Sequence, residues 1–163
     1  IESDNDAGIA LASKMGEKKF VELMNQEAVS LGLTGTQFVN TVGLDTDNNT
    51  EPNYSTARDL AKLALVIMKQ YPYILNIISL KEYDLKTASG TLHHALATTN
   101  KLFGENLPFN IVGGKTGETP RAKKNLLLIT HWPTENSYLI SVVLGSDDNF
   151  GDMKKLLISS ASK

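Results

Sequence analysis

The sequence predicts an α+β fold: an antiparallel sheet with helices on both faces. Three observations support this. In the first half, apolar residues recur every three to four positions, which is the period of an amphipathic helix. The second half holds short runs rich in Val, Ile and Leu between turn residues, as is typical of strands. A last amphipathic segment predicts a closing helix, and helices and strands do not alternate as in βαβ units.

The first two helices are predicted at the start of the chain. The apolar pattern from Asp6 to Met15 predicts a helix, for which Asn5 or Asp6 is the expected N-cap. A second helix is predicted over Glu17–Leu31, where Gly32 is a natural stop.

A polar loop and a third helix follow. The stretch Thr46–Asn53 contains too few apolar residues for a packed element and predicts a surface loop. Ser55 or Thr56 can cap the next helix, with Asp59 placed as in a capping box. The dipeptide Tyr71–Pro72 ends this helix, since proline removes a backbone donor.

The remainder predicts mainly strands. Tyr73–Ile78 is a short apolar segment, and Lys81–Thr87 alternates as a strand does. Pro133–Ser137 predicts a turn between two later strands, and Phe150–Ser160 predicts the closing helix. The later strands are Ile111–Thr116, Asn125–Trp132 and Tyr138–Gly145. We therefore expect a single domain over residues 1–163, with no internal repeat.

Composition excludes several classes of function. With 41% apolar and 21% charged residues, the 163-residue chain can bury a core. Its formal charge of -2, without a basic stripe, argues against a nucleic-acid partner. It has no cysteine, which excludes disulfides and thiolate metal sites. No run of consecutive apolar residues approaches the roughly 18 that a membrane span requires. Because the sequence begins at Ile1 rather than at Met, we expect it to be a piece of a longer protein.

The segment Val112–Thr119 is the sharpest candidate for chemistry. Lys115 and Thr116 offer a cation and a hydroxyl at the predicted end of a strand, between glycines that allow close approach of a ligand. Such a strand can hold an extended peptide by β-augmentation. A solvated lysine in a glycine turn is the alternative. A phosphate loop is disfavoured because Phe109 occupies the position of its first glycine.

A second candidate, Ser3-Asp4-Asn5, precedes the first helix. Its hydroxyl and amide lie two residues apart, but taken alone the motif is better explained as a helix N-cap. The two motifs together are more specific, since S-x-x-K, S-D-N and K-T-G mark penicillin-binding proteins and class A β-lactamases. Here the second and third motifs occur in order.

The intervening sequence resembles the D-alanyl-D-alanine carboxypeptidase family. The resemblance covers essentially the whole chain and includes the pattern K-T-G-x-T followed by A-x-x-N-L. It rests on four further stretches, namely Asn5–Ala7, Phe38–Leu44, Tyr54–Ala61 and Thr99–Leu102. It implies a β-lactamase/transpeptidase-like fold that is incomplete here, without its N-terminal strands and nucleophile helix. The implied substrate is a peptidoglycan pentapeptide ending in D-Ala-D-Ala, with β-lactam antibiotics as inhibitors and an extracytoplasmic location.

The resemblance also implies roles for individual residues. The hydroxyl of Ser3 would relay a proton to the leaving amine, and the amide of Asn5 would orient the nucleophile's lysine and the substrate. Lys115 would bias the site electrostatically, and Thr116 would bind the terminal carboxylate. After Gly117, the backbone N–H of Glu118 would share an oxyanion hole with the nucleophilic serine.

The chain departs from the family pattern in three places. The only S-x-x-K match is Ser160–Lys163, which we interpret as chance, so the nucleophile and the missing N-terminal segment are expected outside this sequence. No arginine lies near Asn149, where many relatives have one. Lys123 stands where relatives commonly have glycine.

Other candidates are weaker. Asp45, Asp47 and Asn49 resemble the start of a calcium loop, but Thr50 replaces its obligatory glycine. The three histidines (His93, His94 and His131) lack metal-ligand spacing, so we expect them to be solvated or packed, and we predict no metal or other cofactor. Two further functions stay open: a class A β-lactamase, although Ser55 replaces the asparagine expected after Glu51, and a non-catalytic peptidoglycan-binding relative.

Overall fold

The computed structural model describes residues 1–46, 51–134 and 137–162. Its described part contains helices at both ends of the chain and two antiparallel sheets between them. The helices are α1 (Asn5–Ser13), α2 (Glu17–Ser30), α3 (Ala57–Gln70), α4 (Pro72–Ile78) and α5 (Asn149–Ala161). The strands are β1 (Glu82–Lys86), β2 (Leu92–Ala97), β3 (Ile111–Thr119), β4 (Lys123–His131) and β5 (Tyr138–Ser146). The predicted α+β fold is confirmed.

The predicted N-cap of the first helix was wrong. Asp4 caps α1, and its Oδ1 accepts a hydrogen bond from the backbone N–H of Ala7 at 2.7 Å. The expected caps, Asn5 and Asp6, lie inside the helix. Since aspartate is as good a cap as asparagine, the sequence did not distinguish these positions. The second helix ends before Gly32 as predicted, where φ is +65°.

The predicted cap of the third helix is confirmed. Thr56 Oγ1 accepts a hydrogen bond from the N–H of Asp59 at 3.1 Å. The carboxylate of Asp59 is buried and accepts hydrogen bonds from Gly35 N and Thr36 Oγ1. This acidic residue therefore ties the start of α3 to the loop after α2. The short apolar segment after Tyr71 forms α4.

The strands form a two-stranded hairpin, β1–β2, and a three-stranded sheet in the order β3-β4-β5. The four strands predicted are confirmed. The sequence analysis missed β2, which is mostly exposed and contains two adjacent histidines instead of a regular apolar alternation. Strand β3 continues to Thr119, three residues beyond its predicted end. In the described part of the chain it pairs only with β4, so its other edge is open.

Helices cover both faces of the three-stranded sheet. Residues of opposite parity on a strand face opposite sides. Leu126 and Leu128 of β4 pack with Met153 and Leu157 of α5. On the other face, α4 lies so close to Gly113 that a Cβ there would come within 2.7 Å of Ile78. The register pairs Lys115 with Leu127 and Thr116 with Leu126, so the two motif residues point to opposite faces.

Two predicted segments lie partly outside the described residues. Residues 47–50 of the predicted polar loop belong to this group, and they include Asp47, Asn49 and Thr50 of the calcium-loop comparison. Residues 135 and 136 of the predicted turn before β5 also lie outside the described residues. No helix in the described ranges is both long and apolar enough to cross a membrane.

Lys123, at the start of β4, adopts a left-handed backbone conformation with φ +55°. A non-glycine residue in this conformation costs about 1–2 kcal/mol. Its ammonium group lies 3.0 Å from a carboxylate oxygen of Asp147, but both side chains are exposed and such pairs contribute about 0–1 kcal/mol. The backbone strain therefore outweighs the ion pair.

We expect the Lys123→Gly substitution to raise the melting temperature by about 2 °C, because strain is relieved in the turn. The matched control is Lys123→Ala, which removes the ion pair but keeps a Cβ in the strained conformation. Thermal unfolding followed by circular dichroism measures both. A rise for alanine equal to that for glycine would contradict the strain argument.

Candidate active site

A groove runs between the first residues of the chain and the open edge of β3. Lys115 Nζ donates a hydrogen bond to Ser3 Oγ at 2.6 Å, joining residues that are 112 positions apart. A cavity of about 260 Å³ beside this contact is lined by Asn5 and by the β3 residues from Lys115 to Thr119. The structure thus brings the two sequence motifs together across one groove.

Only the middle residue of the Ser3-Asp4-Asn5 motif is used as a helix cap. Asp4 provides the cap of α1, so the side chains of Ser3 and Asn5 remain exposed at the groove. Ser3 has φ +65°, and it is one of two non-glycine residues with positive φ in the described part of the chain. Such strain persists where surrounding structure enforces it, and it is common at functional sites.

Lys115 lies at the centre of the groove. Besides Ser3 Oγ, its ammonium group donates a hydrogen bond to the backbone carbonyl of Thr116 at 2.5 Å. The side chain is largely exposed, and partial burial of its ammonium group lowers its pKa. A lysine with a lowered pKa, bonded to a serine hydroxyl, can exchange a proton with it more readily.

Thr116 faces the other side of β3, where its Oγ1 lies 2.5 Å from Thr99 Oγ1. A hydroxyl has one donor and two acceptor sites, so when Thr99 donates, the hydrogen of Thr116 is free for a ligand. A second cavity, of about 450 Å³, is lined by Ser3, Thr116, Gly117 and Glu118 among others. A Cβ at Gly117 would meet no heavy atom within 4 Å, which leaves room for a ligand at this point.

Several contacts around the site were not predicted. The hydrogen bond between Thr99 and Thr116 had no sequence signal apart from the family resemblance of the segment. Asp45, considered above only as a calcium-loop mimic, accepts hydrogen bonds from Thr119 Oγ1 at 2.7 Å and from the N–H of Arg121 at 3.0 Å. The hydrogen bond from Thr119 is the main cause of a lowered pKa at Asp45. This carboxylate thus ties the loop after α2 to the end of β3.

Asn149, near which the sequence analysis noted the lack of an arginine, has a structural role. Asn149, the first residue of α5, is buried, and its Nδ2 donates a hydrogen bond to the carbonyl of Asn125 at 3.0 Å. Asn125 itself accepts a hydrogen bond from Gly145 N, which fixes the ends of β4 and β5 together. Ser160 of the chance S-x-x-K match donates to Leu156 O within α5, and Lys163 lies outside the described residues.

The three histidines contact neighbouring side chains. His94 contacts Glu2 at 3.2 Å and His93 at 2.6 Å between Nδ1 atoms, and His131 packs against Tyr138. Among the residues described, no group of three potential metal ligands occurs.

Comparison with known proteins identifies the family. Residues 1–148 match the model of a family described as D-alanyl-D-alanine carboxypeptidase. The chain belongs to this family. The D-alanyl-D-alanine carboxypeptidase DacC of Escherichia coli is 36% identical over 162 residues, which are 96% of this chain and 37% of that protein. A D-alanyl-D-alanine endopeptidase of the same organism is 37% identical over 94% of this chain and 48% of its own length.

Solved structures show the same fold. Penicillin-binding protein D2 from Listeria monocytogenes, in its cefotaxime-bound form, superposes with a TM-score of 0.81 at 29% identity. The match covers 99% of this chain and 62% of that one. Penicillin-binding protein 6B from Escherichia coli gives a TM-score of 0.77 at 31% identity, covering 98% of this chain and 47% of its own. The chain therefore has the fold of penicillin-binding proteins and spans less than two thirds of these relatives.

Proposed function

We propose that the whole protein carrying this chain is a serine-type D-alanyl-D-alanine carboxypeptidase that acts on peptidoglycan stem peptides through an acyl-enzyme. The observation that supports this most strongly is the hydrogen bond between Lys115 Nζ and Ser3 Oγ across the groove. Membership of the family and the β-lactam bound by the Listeria protein point the same way. The proposed location is extracytoplasmic, where peptidoglycan is found.

Ser3, Asn5 and Lys115 carry the proton transfer in this proposal. The hydroxyl of Ser3 passes a proton from the attacking serine to the leaving amine. Lys115 holds that hydroxyl in place at 2.6 Å, and its ammonium group stabilises the negative charge that develops during transfer. Asn5, exposed in the same cavity, orients the substrate backbone and the lysine of the nucleophile.

Thr116, Gly117 and Glu118 bind the substrate. The open edge of β3 pairs with the extended peptide, and Thr116 donates its hydroxyl hydrogen to the terminal carboxylate while it accepts from Thr99. Gly117 leaves room for the peptide to approach the strand. The backbone N–H of Glu118 contributes to the oxyanion hole.

The nucleophile comes from a segment outside this sequence. Residues 1–163 contain no other S-x-x-K than the one at the end of α5. An apolar groove of about 420 Å³ lies between α3, α4 and the sheet, and Lys115 is one of the residues that line it. We place the nucleophile helix in this groove, because an amphipathic helix there would bury its apolar face and present its polar residues next to Ser3. The missing strands would add to the free edge of β5.

The alternative functions make different demands on the site. A class A β-lactamase needs a base for deacylation, and Ser55, in the position of its asparagine partner, instead lies 2.8 Å from Thr36 Oγ1. A non-catalytic relative would not need to keep Ser3 in a strained conformation aimed at Lys115. Both observations favour the carboxypeptidase.

We expect the isolated 163-residue chain to form no covalent adduct with fluorescent penicillin, whereas the whole protein forms one adduct per molecule and releases D-alanine from a pentapeptide. Gel fluorescence and mass spectrometry measure the first result, and an assay for free D-alanine measures the second. Stoichiometric labelling of the isolated chain would contradict the external nucleophile. A whole protein that binds the pentapeptide without labelling or release would establish the non-catalytic alternative.

A further inference from the structure

The larger cavity at the site contains two lysines to which neither the sequence motifs nor the proposed mechanism assigns a role. Lys101 and Lys124 both line the 450 Å³ cavity that also holds Thr116. Among the described residues, no ion pair joins either ammonium group to an acidic side chain. Unpaired cations in a cavity beside a carboxylate-binding hydroxyl are suited to an anionic ligand.

The strand register fixes where Lys124 points. It lies directly opposite Glu118 in the β3–β4 pair, and residues opposite each other project from the same face. Glu118 and Thr116 share that face because they are two positions apart on β3. The side chain of Lys124 is therefore on the Thr116 side of the sheet.

The charges around this cavity come from the two lysines, two acidic residues and the start of a helix. The acidic residues are Glu118 and Asp148, and the carboxylate of Asp148 accepts a hydrogen bond from Gly151 N at 3.0 Å as the N-cap of α5. The N-terminus of α5 contributes further positive potential at Asn149 and Phe150. Asn149 Oδ1 is buried without a hydrogen-bond partner among the described residues, so it is an acceptor available to a lysine ammonium group.

We propose that Lys124 is a specificity-determining residue that supplies the cation for the substrate's terminal carboxylate, beside the hydroxyl of Thr116. This inference rests on the proposed function. Asn149 provides no positive charge at the start of α5, and Lys124 supplies one to the same cavity from β4. A free carboxylate distinguishes the end of a peptide from an internal bond, so this lysine favours carboxypeptidase over endopeptidase action.

The test compares acylation of the whole protein by benzylpenicillin and by its methyl ester, which lacks the carboxylate charge. We expect Lys124→Met to lower the second-order rate constant for benzylpenicillin about tenfold and to change that for the ester less than twofold. Lys124→Arg should retain most of the rate, because it keeps the charge. Lys69→Met, at the end of α3 and outside the cavity, removes the same charge and is the matched control.

The possible outcomes separate the two proposals. Equal rates for Lys124→Met and the unchanged protein with benzylpenicillin would overturn the inference. So would an equal loss with both ligands, because it would show a structural effect of the substitution. If the unchanged protein reacts with neither ligand, the proposed function fails and the inference falls with it. Loss confined to the charged ligand, restored by arginine, supports the role of Lys124.

Discussion

Replacing Lys115 by alanine in the whole protein is expected to slow acylation by penicillin by about two to three orders of magnitude. The ammonium group of Lys115 holds Ser3 Oγ at 2.6 Å, and no other described residue is hydrogen-bonded to that hydroxyl. Its removal leaves the hydroxyl unoriented and takes a positive charge away from the reacting atoms. Stopped-flow or quenched labelling with fluorescent penicillin measures the rate.

Two variants make this result interpretable. Lys115→Arg keeps the charge but replaces a compact ammonium group by a planar fork, so we expect intermediate activity. Lys69→Ala is the control for a general loss of positive charge. Because part of Lys115 is exposed, we expect its alanine variant to unfold at nearly the same temperature as the unchanged protein. Acylation at the normal rate in Lys115→Ala would contradict the proposed role of this lysine.

Removing the hydroxyl of Ser3 is expected to lower the acylation rate by about 10² to 10⁴, the range typical of a lost proton-transfer group. Two substitutions separate chemistry from backbone conformation. Ser3→Ala keeps a side chain at φ +65°, whereas Ser3→Gly relieves the strain of that conformation. We expect both to lose activity to a similar degree and Ser3→Gly to be the more stable of the two. Labelling kinetics and thermal unfolding measure these effects.

Ser13→Ala is the matched control for Ser3. Ser13 is also an exposed serine in the α1 region, but its hydroxyl donates to the carbonyl of Ala10 within the helix. We expect its acylation rate to be unchanged. Full activity in Ser3→Gly together with inactivity in Ser3→Ala would show that backbone geometry matters here and that the hydroxyl does not.

The sequence predicted the elements whose pattern is strong over many residues. The helix after Thr56 and the three strands of the main sheet follow directly from apolar periodicity and turn residues. Strand β2 was missed because its exposed residues carry no apolar alternation, and its pairing with β1 stabilises it instead. The Asp4 cap was missed because several neighbouring residues can cap a helix equally well.

The candidate site was predicted only in part, for a related reason. Short motifs indicated Ser3 and Lys115, but no local pattern specifies that two residues 112 positions apart will meet, so their proximity depended on the family resemblance. The contact of Thr99 with Thr116 and the position of Lys124 in the larger cavity exist only in the folded chain. Such contacts leave no periodic signal in the sequence.

The most direct test of the account is a double-mutant cycle on the acylation rate of the whole protein, using Lys115→Ala, Ser3→Ala and the combined variant. If the ammonium group acts through the serine hydroxyl, the combined variant will be within about threefold of the slower single variant, since residues that act as a unit are not additive. Losses that multiply in the combined variant would show that the two groups act independently and would contradict the account.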